Sequence, residues 1–193
     1  MTVALPTLPY DRLVEVAAAQ HGLIRPTDAE AAGVDPVYLR KLVATGRARH
    51  LARGLYRIVA IPPTPNEEFH EAVLWANGDG VIGGEAALAL WELADVNPRR
   101  IEVVLRPGYQ LRRGQRAERF VILRRELGDE DIDYIENIPV VRPAIAIAQA
   151  IDLGVDRGLI EQAIANARGR ALIDALTEAR LRVRLHDAIG RRE

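Results

Sequence analysis

Glu102 lies inside the strand-like run Ile101-Glu-Val-Val-Leu105, with Asp79, Glu85 and Glu92 upstream. Carboxylates placed this way on a sheet can hold a divalent ion for phosphodiester hydrolysis. Such sites set a lysine two residues beyond the strand acid to activate water. Position 104 is valine, and the single lysine of the chain, Lys41, lies elsewhere. The histidines, His21, His50, His70 and His186, are never paired at ligand spacing. His70-Glu71 begins like a zinc-protease helix, but Leu74 occupies the position of the second histidine. Gly78-Asp79-Gly80-Val81-Ile82-Gly83 is a literal G-x-G-x-x-G, yet a helical pattern precedes it and no strand–helix–strand crossover follows. With no cysteine, thiolate metal sites and thiol nucleophiles are excluded. The expectation is a protein without catalytic residues, metal or cofactor, acting by stoichiometric binding.

The basic residues are better organised. Residues 1–60 carry eight basic and five acidic side chains, a net of +3, whereas the whole chain of 193 residues has a net of -1. From Pro36 to Ile61 there are six basic residues and no acid. A run of this kind is commonly just a solvated face, so its meaning depends on the elements that carry it.

Those elements follow from spacing and punctuation. Leu13, Val14, Val16 and Ala17 have helical periodicity, ended at Gly22. Thr27-Asp28-Ala29-Glu30 reads as a capping box opening a short helix through Ala32, with Gly33 as the turn. Asp35 caps a third helix with Pro36 in its first turn, running to Thr45 and stopped by Gly46. Leu39, Leu42 and Val43 form its inner face, leaving Val37, Tyr38, Arg40, Lys41 and Thr45 outward. Arg47–Leu51 and Leu55–Val59 read as two strands joined near Arg53-Gly54. Three helices followed by a basic hairpin make a winged helix-turn-helix for double-stranded DNA. Val37, Tyr38, Arg40, Lys41 and Thr45 are then the base-reading candidates. Arg25, Thr27, Arg47, Arg49, Arg53 and Arg57 are the phosphate and wing candidates. The rival at this point is a winged helix kept for protein contacts.

The run from His21 to Val59, HGLIRPTDAEAAGVDPVYLRKLVATGRARHLARGLYRIV, resembles the N-terminal domain of AbiEi-type antitoxins of type IV toxin–antitoxin, or abortive-infection, operons. Gly33-Val34, Leu39, Leu42, Gly46, Arg53-Gly54 and Tyr56-Arg57 carry the resemblance, which continues more loosely to about Ala171. It implies a repressor of its own operon that counters a cognate nucleotidyltransferase-like toxin, without requiring a tight complex. In the later part Pro139-Val140 and Pro143 match the family pattern. Its Arg-Thr pair is replaced by Ile145-Ala146, so no role of that pair carries over. Alternatives are a winged-helix regulator unrelated to a toxin, or a protein-interaction module.

Pro62-Pro63-Thr64-Pro65 marks a stiff linker, giving expected domains of 1–61 and 62–193. The second reads as a small α+β domain. Helices are expected at Glu67–Asn77, Glu85–Leu93, from Pro143, at Asp156–Arg168 and at Asp174–Ile189. Strands are expected at Gly80–Ile82, Ile101–Leu105, Phe120–Leu123 and Asn137–Val141. The acidic run Gly128–Asp133 reads as a solvated loop. Arg112, Arg113 and Arg116 read as a loop between strands, or a second contact with DNA or a partner. The segment MTVALPTLPYDRL lacks the pattern of a secretory signal, and no run is long enough for a membrane span. The expected location is the cytoplasm, with no membrane partner.

Overall fold

A computed structural model describes residues 8–110 and 117–190. Arg112, Arg113 and Arg116 lie outside the described residues. The chain is a mixed α+β protein with two main hydrophobic cores.

The first core is built by α1 (Pro9–Ala18), β1 (Leu23–Ile24), α2 (Pro26–Ala31), α3 (Val37–Ala44), β2 (Ala48–Ala52) and β3 (Leu55–Ile58). Leu13 and Ala17, one helical turn apart on α1, meet Ala29 of α2, Leu39 and Leu42 of α3, and Ile58 of β3, all buried. The strands form an antiparallel sheet in the order β1-β3-β2. The β1 strand, too short to show period-two alternation, was not expected from the sequence. It forms because Leu23 and Ile24 pair with Arg57 and Tyr56.

The helix caps differ in one respect from expectation. Thr27 does not open α2. Pro26 occupies the first turn, Arg25 becomes the cap, and Asp28 reaches back to accept the Arg25 backbone N–H at 2.7 Å. At α3 the Asp35 carboxylate accepts the Val37 N–H at 2.8 Å, as a capping aspartate should. Gly46, with φ of +71°, ends α3. There the Gly46 N–H reaches Val43 O at 3.1 Å and the Arg47 N–H reaches Leu42 O at 2.8 Å, closing the last carbonyls.

The second core comprises α4 (Glu67–Trp75), β4 (Val81–Ile82), α5 (Gly84–Leu90), β5 (Ile101–Leu105), β6 (Phe120–Arg124), β7 (Ile132–Ile135), β8 (Ile138–Val141), α6 (Pro143–Leu153), α7 (Arg157–Gly169) and α8 (Ala175–Gly190). Its five-stranded sheet runs β6-β5-β4-β8-β7. The β4–β8 and β5–β6 pairs are parallel, and β4–β5 and β7–β8 antiparallel. All five residues of β5 are buried, as expected of a strand covered on both faces. Helix α6 packs on α5, α7 and α8, burying Ala146, Ile147, Ala150 and Ile151.

The acidic run is only partly a loop. Asp129–Asp131 form a 3-10 turn, and Ile132–Ile135 continue as the edge strand β7. The charged residues hid a strand whose outer edge is unpaired within the sheet. The glycine motif serves packing. A Cβ at Gly80 would stand 2.5 Å from Val103, and one at Gly83 would stand 2.6 Å from Gln149 Oε1.

The two cores are joined by apolar and polar contacts. Leu74 of α4 is buried with Leu23, Ala52 and Leu55. The β7–β8 turn, Glu136-Asn137, reaches the end of α1. There His21 Nε2 meets the Glu136 carbonyl at 3.0 Å, and Asn137 Nδ2 donates to Ala19 O at 3.3 Å. The proline segment is held as well, since His21 Nδ1 lies 2.7 Å from Thr64 Oγ1. Among the described residues no helix is long and apolar enough to cross a membrane.

Candidate nucleic-acid interface

Helix α3 turns Leu39 and Leu42 inward, and its other residues follow from that choice. Val37 is 52% exposed in the first turn, and Arg40, Lys41 and Thr45 are exposed beyond it. Tyr38 is half-buried and packs against the first core, so its ring is partly committed. The Thr45 hydroxyl donates back to Lys41 O at 3.0 Å and lies 3.2 Å from Leu42 O, which leaves its lone pairs outward. Arg40 and Lys41 are thus the charged groups that α3 offers to solvent.

The hairpin continues this surface. Ala48 packs in the first core, and Ala52 and Leu55 pack with Leu23 and Leu74, while Arg49 and Arg53 are exposed. Arg53 occupies the turn with Gly54, whose φ is +71° and around which there is open space. Arg47 is exposed at the junction of α3 and β2, its guanidinium carbon 5.0 Å from the centroid of the Tyr10 ring. Nothing in the spacing of the sequence marks Tyr10, because the fold alone brings α1 beside that junction. Exposed His50 lies against the Tyr56 ring, 5.0 Å between centroids.

Three expected phosphate contacts are placed differently from the rest. Arg57 is 9% exposed and faces the second core. Its Nε donates to Glu67 Oε1 at 2.7 Å and its Nη2 to Ile61 O at 2.9 Å. On β3 it lies opposite Arg49 in register, so the two side chains share the sheet face turned away from the first core. Arg57 is covered on the central strand, while Arg49 stays exposed on the edge strand β2. Arg25 pairs with Asp28 at 2.9 Å and donates to Asn77 O at 2.8 Å. Both guanidinium groups are engaged within the protein, in contrast to the exposed Arg47, Arg49 and Arg53. Thr27 is exposed on the first turn of α2, away from the cap position expected for it.

The carboxylate reading of Glu102 has a structural answer. Its side chain is 8% exposed, and Oε2 accepts the Ala86 N–H in the first turn of α5 at 2.9 Å. Burial, the main influence, raises its pKa above the ordinary carboxylate value. Asp79 is bonded instead by the Tyr109 hydroxyl at 2.7 Å. Among the described residues no group of three or more histidine or carboxylate side chains is gathered to hold a metal ion. His70 is buried beside His21, with ring centroids 5.2 Å apart, and is not part of a ligand set.

No curated protein matches the chain. Among solved structures, the RV2827C protein from Mycobacterium tuberculosis aligns with 96% of this chain and 78% of its own, at 15% identity and a TM-score of 0.47. A family model described as "Transcriptional regulator, AbiEi antitoxin" matches residues 11–59. That span runs from the first turn of α1 to just beyond β3, and contains α3 and the hairpin whole. The likeness to this family of regulators therefore lies in the segment from α1 to β3.

Proposed function

We propose that this protein is a DNA-binding antitoxin. In this reading residues 1–61 form a winged helix-turn-helix that represses the operon encoding it, and residues 62–193 counter a cognate nucleotidyltransferase-like toxin. The observation that carries the reading is a coincidence of position. The family match falls on the same segment whose third helix and hairpin expose Arg40, Lys41, Arg47, Arg49 and Arg53 without an intervening acid. Helix α3 is the element for the major groove, with Val37, Tyr38, Arg40, Lys41 and Thr45 toward base edges. The hairpin is the wing, with Arg47, Arg49 and Arg53 on phosphates. Affinity then comes from phosphate neutralisation and falls steeply with salt. The mechanism is stoichiometric, in a cytoplasmic protein.

Fluorescence anisotropy with duplex DNA from upstream of the gene tests the first half. Saturable, salt-sensitive binding tighter than to scrambled duplex is expected, and absence of binding at low salt overturns it. Co-expression with the neighbouring gene tests the second half. Relief of growth arrest by the full chain is expected, and arrest unchanged by its expression removes the antitoxin role.

A further inference from the structure

The first turn of α1 reaches the α2–α3 turn on one side and the residue that follows α3 on the other. Arg12 Nη1 donates to Ala32 O at 3.1 Å and lies 3.3 Å from Gly33 O, the two residues that turn α2 into α3. Tyr10, just before it in the chain, lies against Arg47 at the opposite end of α3. One helical turn thus brackets the element that carries Arg40 and Lys41.

Arg47 is fixed along its backbone. Its N–H donates to Leu42 O at 2.8 Å, and its carbonyl accepts from the Val59 N–H at 3.0 Å. Rotamer freedom therefore remains only in the side chain, and a long exposed arginine has much of it to lose when it docks. The Tyr10 ring is half-buried, packed on the first core, and so is itself held in place. A cation over such a face is attracted by the ring quadrupole. Among the described residues no carboxylate forms an ion pair with Arg47. That difference matters for function. A carboxylate partner would compete with phosphate for the guanidinium, whereas an aromatic face orders the cation and leaves its N–H donors and full charge available.

We propose that Tyr10 is a positioning residue for DNA binding, holding the Arg47 guanidinium at the junction of recognition helix and wing before the duplex arrives. The inference rests on the DNA-binding reading above, and adds to it a residue outside both the helix and the wing. The ligand it serves is a backbone phosphate, so its effect is the same on every sequence.

A double-mutant cycle on the full chain tests it. Affinity for a random-sequence duplex is measured at several salt concentrations, with thermal melting of each variant alongside. Tyr10→Phe keeps the ring and retains wild-type affinity. Tyr10→Leu keeps apolar bulk without the quadrupole and binds about 2- to 5-fold more weakly. In the Arg47→Ala background the same change is silent. Tyr10→Leu leaves the salt slope intact, since Arg47 still neutralises its phosphate once bound, whereas Arg47→Ala lowers the slope by ~1. Where Tyr10→Leu melts well below the wild type, Tyr10→Met takes its place in the cycle. Equal weakening by Tyr10→Leu with and without Arg47 overturns the positioning role and leaves the DNA reading standing. An Arg47→Ala variant that binds like the wild type overturns the assignment of Arg47 itself, and the inference with it.

Discussion

His21 and Glu136 are joined directly, the imidazole Nε2 lying 3.0 Å from the Glu136 carbonyl oxygen, although one follows α1 of the first core and the other joins β7 to β8 of the second. A carbonyl only accepts, so Nε2 is the donor, and Nδ1 is left to face the Thr64 hydroxyl at 2.7 Å. One side chain therefore ties the end of α1 to both the proline segment and the β7–β8 turn. Asn66 completes the arrangement by donating from Nδ2 to Glu136 Oε2 at 2.9 Å. The proline-rich segment is thus pinned at Thr64 and Asn66, and the two cores are held by more than the connecting chain.

His21→Ala removes both bonds and leaves the buried part of the site unsatisfied, costing about 1–3 kcal/mol. Limited proteolysis should then cut within Pro62–Asn66 faster than in the wild type, with urea denaturation giving the loss of stability. An unchanged denaturation midpoint and cleavage pattern would show that the other contacts, the Arg57–Glu67 pair and the packing of Leu74 on Leu23 and Leu55 among them, hold the cores together without His21.

His70 makes stability depend on pH. Burial lowers its pKa from 6.5 to about 4, assisted by the nearby positive charges of His21 and Arg25 and opposed by Asp28. Its Nδ1 has no hydrogen-bond partner among the described residues. The folded pKa lies below the unfolded one, so between the two values the unfolded chain binds the proton and the native chain does not. Stability is full above pH 6.5 and declines as pH falls toward 4, by roughly 2 kcal/mol between pH 7 and pH 5. His70→Leu should flatten that part of the stability profile in urea melts at a series of pH values. A variant with the wild-type slope would assign the dependence to another group.

Glu102 separates a structural acid from a catalytic one. Glutamine at this position keeps an oxygen for the Ala86 N–H and removes a charge whose ionisation burial opposes. Glu102→Gln is therefore neutral or stabilising at pH 7, while Glu102→Ala leaves the amide without its acceptor and costs about 1–3 kcal/mol. Thermal melts of the two variants check the order. Equal destabilisation by both would mean that the carboxylate charge itself is needed.

How much of this was legible in the sequence depends on whether the signal was local. The third helix was readable from Asp35, Leu39, Leu42 and Gly46, since cap, buried spacing and stop all act within one segment. The position of the hairpin was readable from the Arg53-Gly54 turn. The start of α2 differs from the Thr27–Glu30 capping box because Pro26 sits in the first turn and Asp28 reaches back to the Arg25 N–H. β7 was missed because its charged neighbours mask Ile132 and Ile135, which turn inward only when β8 lies alongside. The fates of Arg25 and Arg57 could not be read at all. Their partners, Asn77 and Glu67, belong to the other core, and composition alone counts every arginine as available.

Arg53 and Arg57 look equivalent in sequence, each beside the same hairpin turn, and their variants should fail in different ways. Arg53 is exposed with open space around its turn, so Arg53→Ala should leave the denaturation midpoint within error. It should weaken binding to every duplex and flatten the salt slope by ~1. Arg57 is buried with Glu67, whose Oε2 has no other partner among the described residues. Removing the arginine strands that carboxylate, and Arg57→Ala should cost about 3–5 kcal/mol of stability. At a temperature where the variant is fully folded, its salt slope should match the wild type, because Arg57 is held in its ion pair with Glu67. Paired measurement of urea midpoint and salt-dependent anisotropy distinguishes the two. A flattened slope for Arg57→Ala would mean that the buried pair opens when DNA binds.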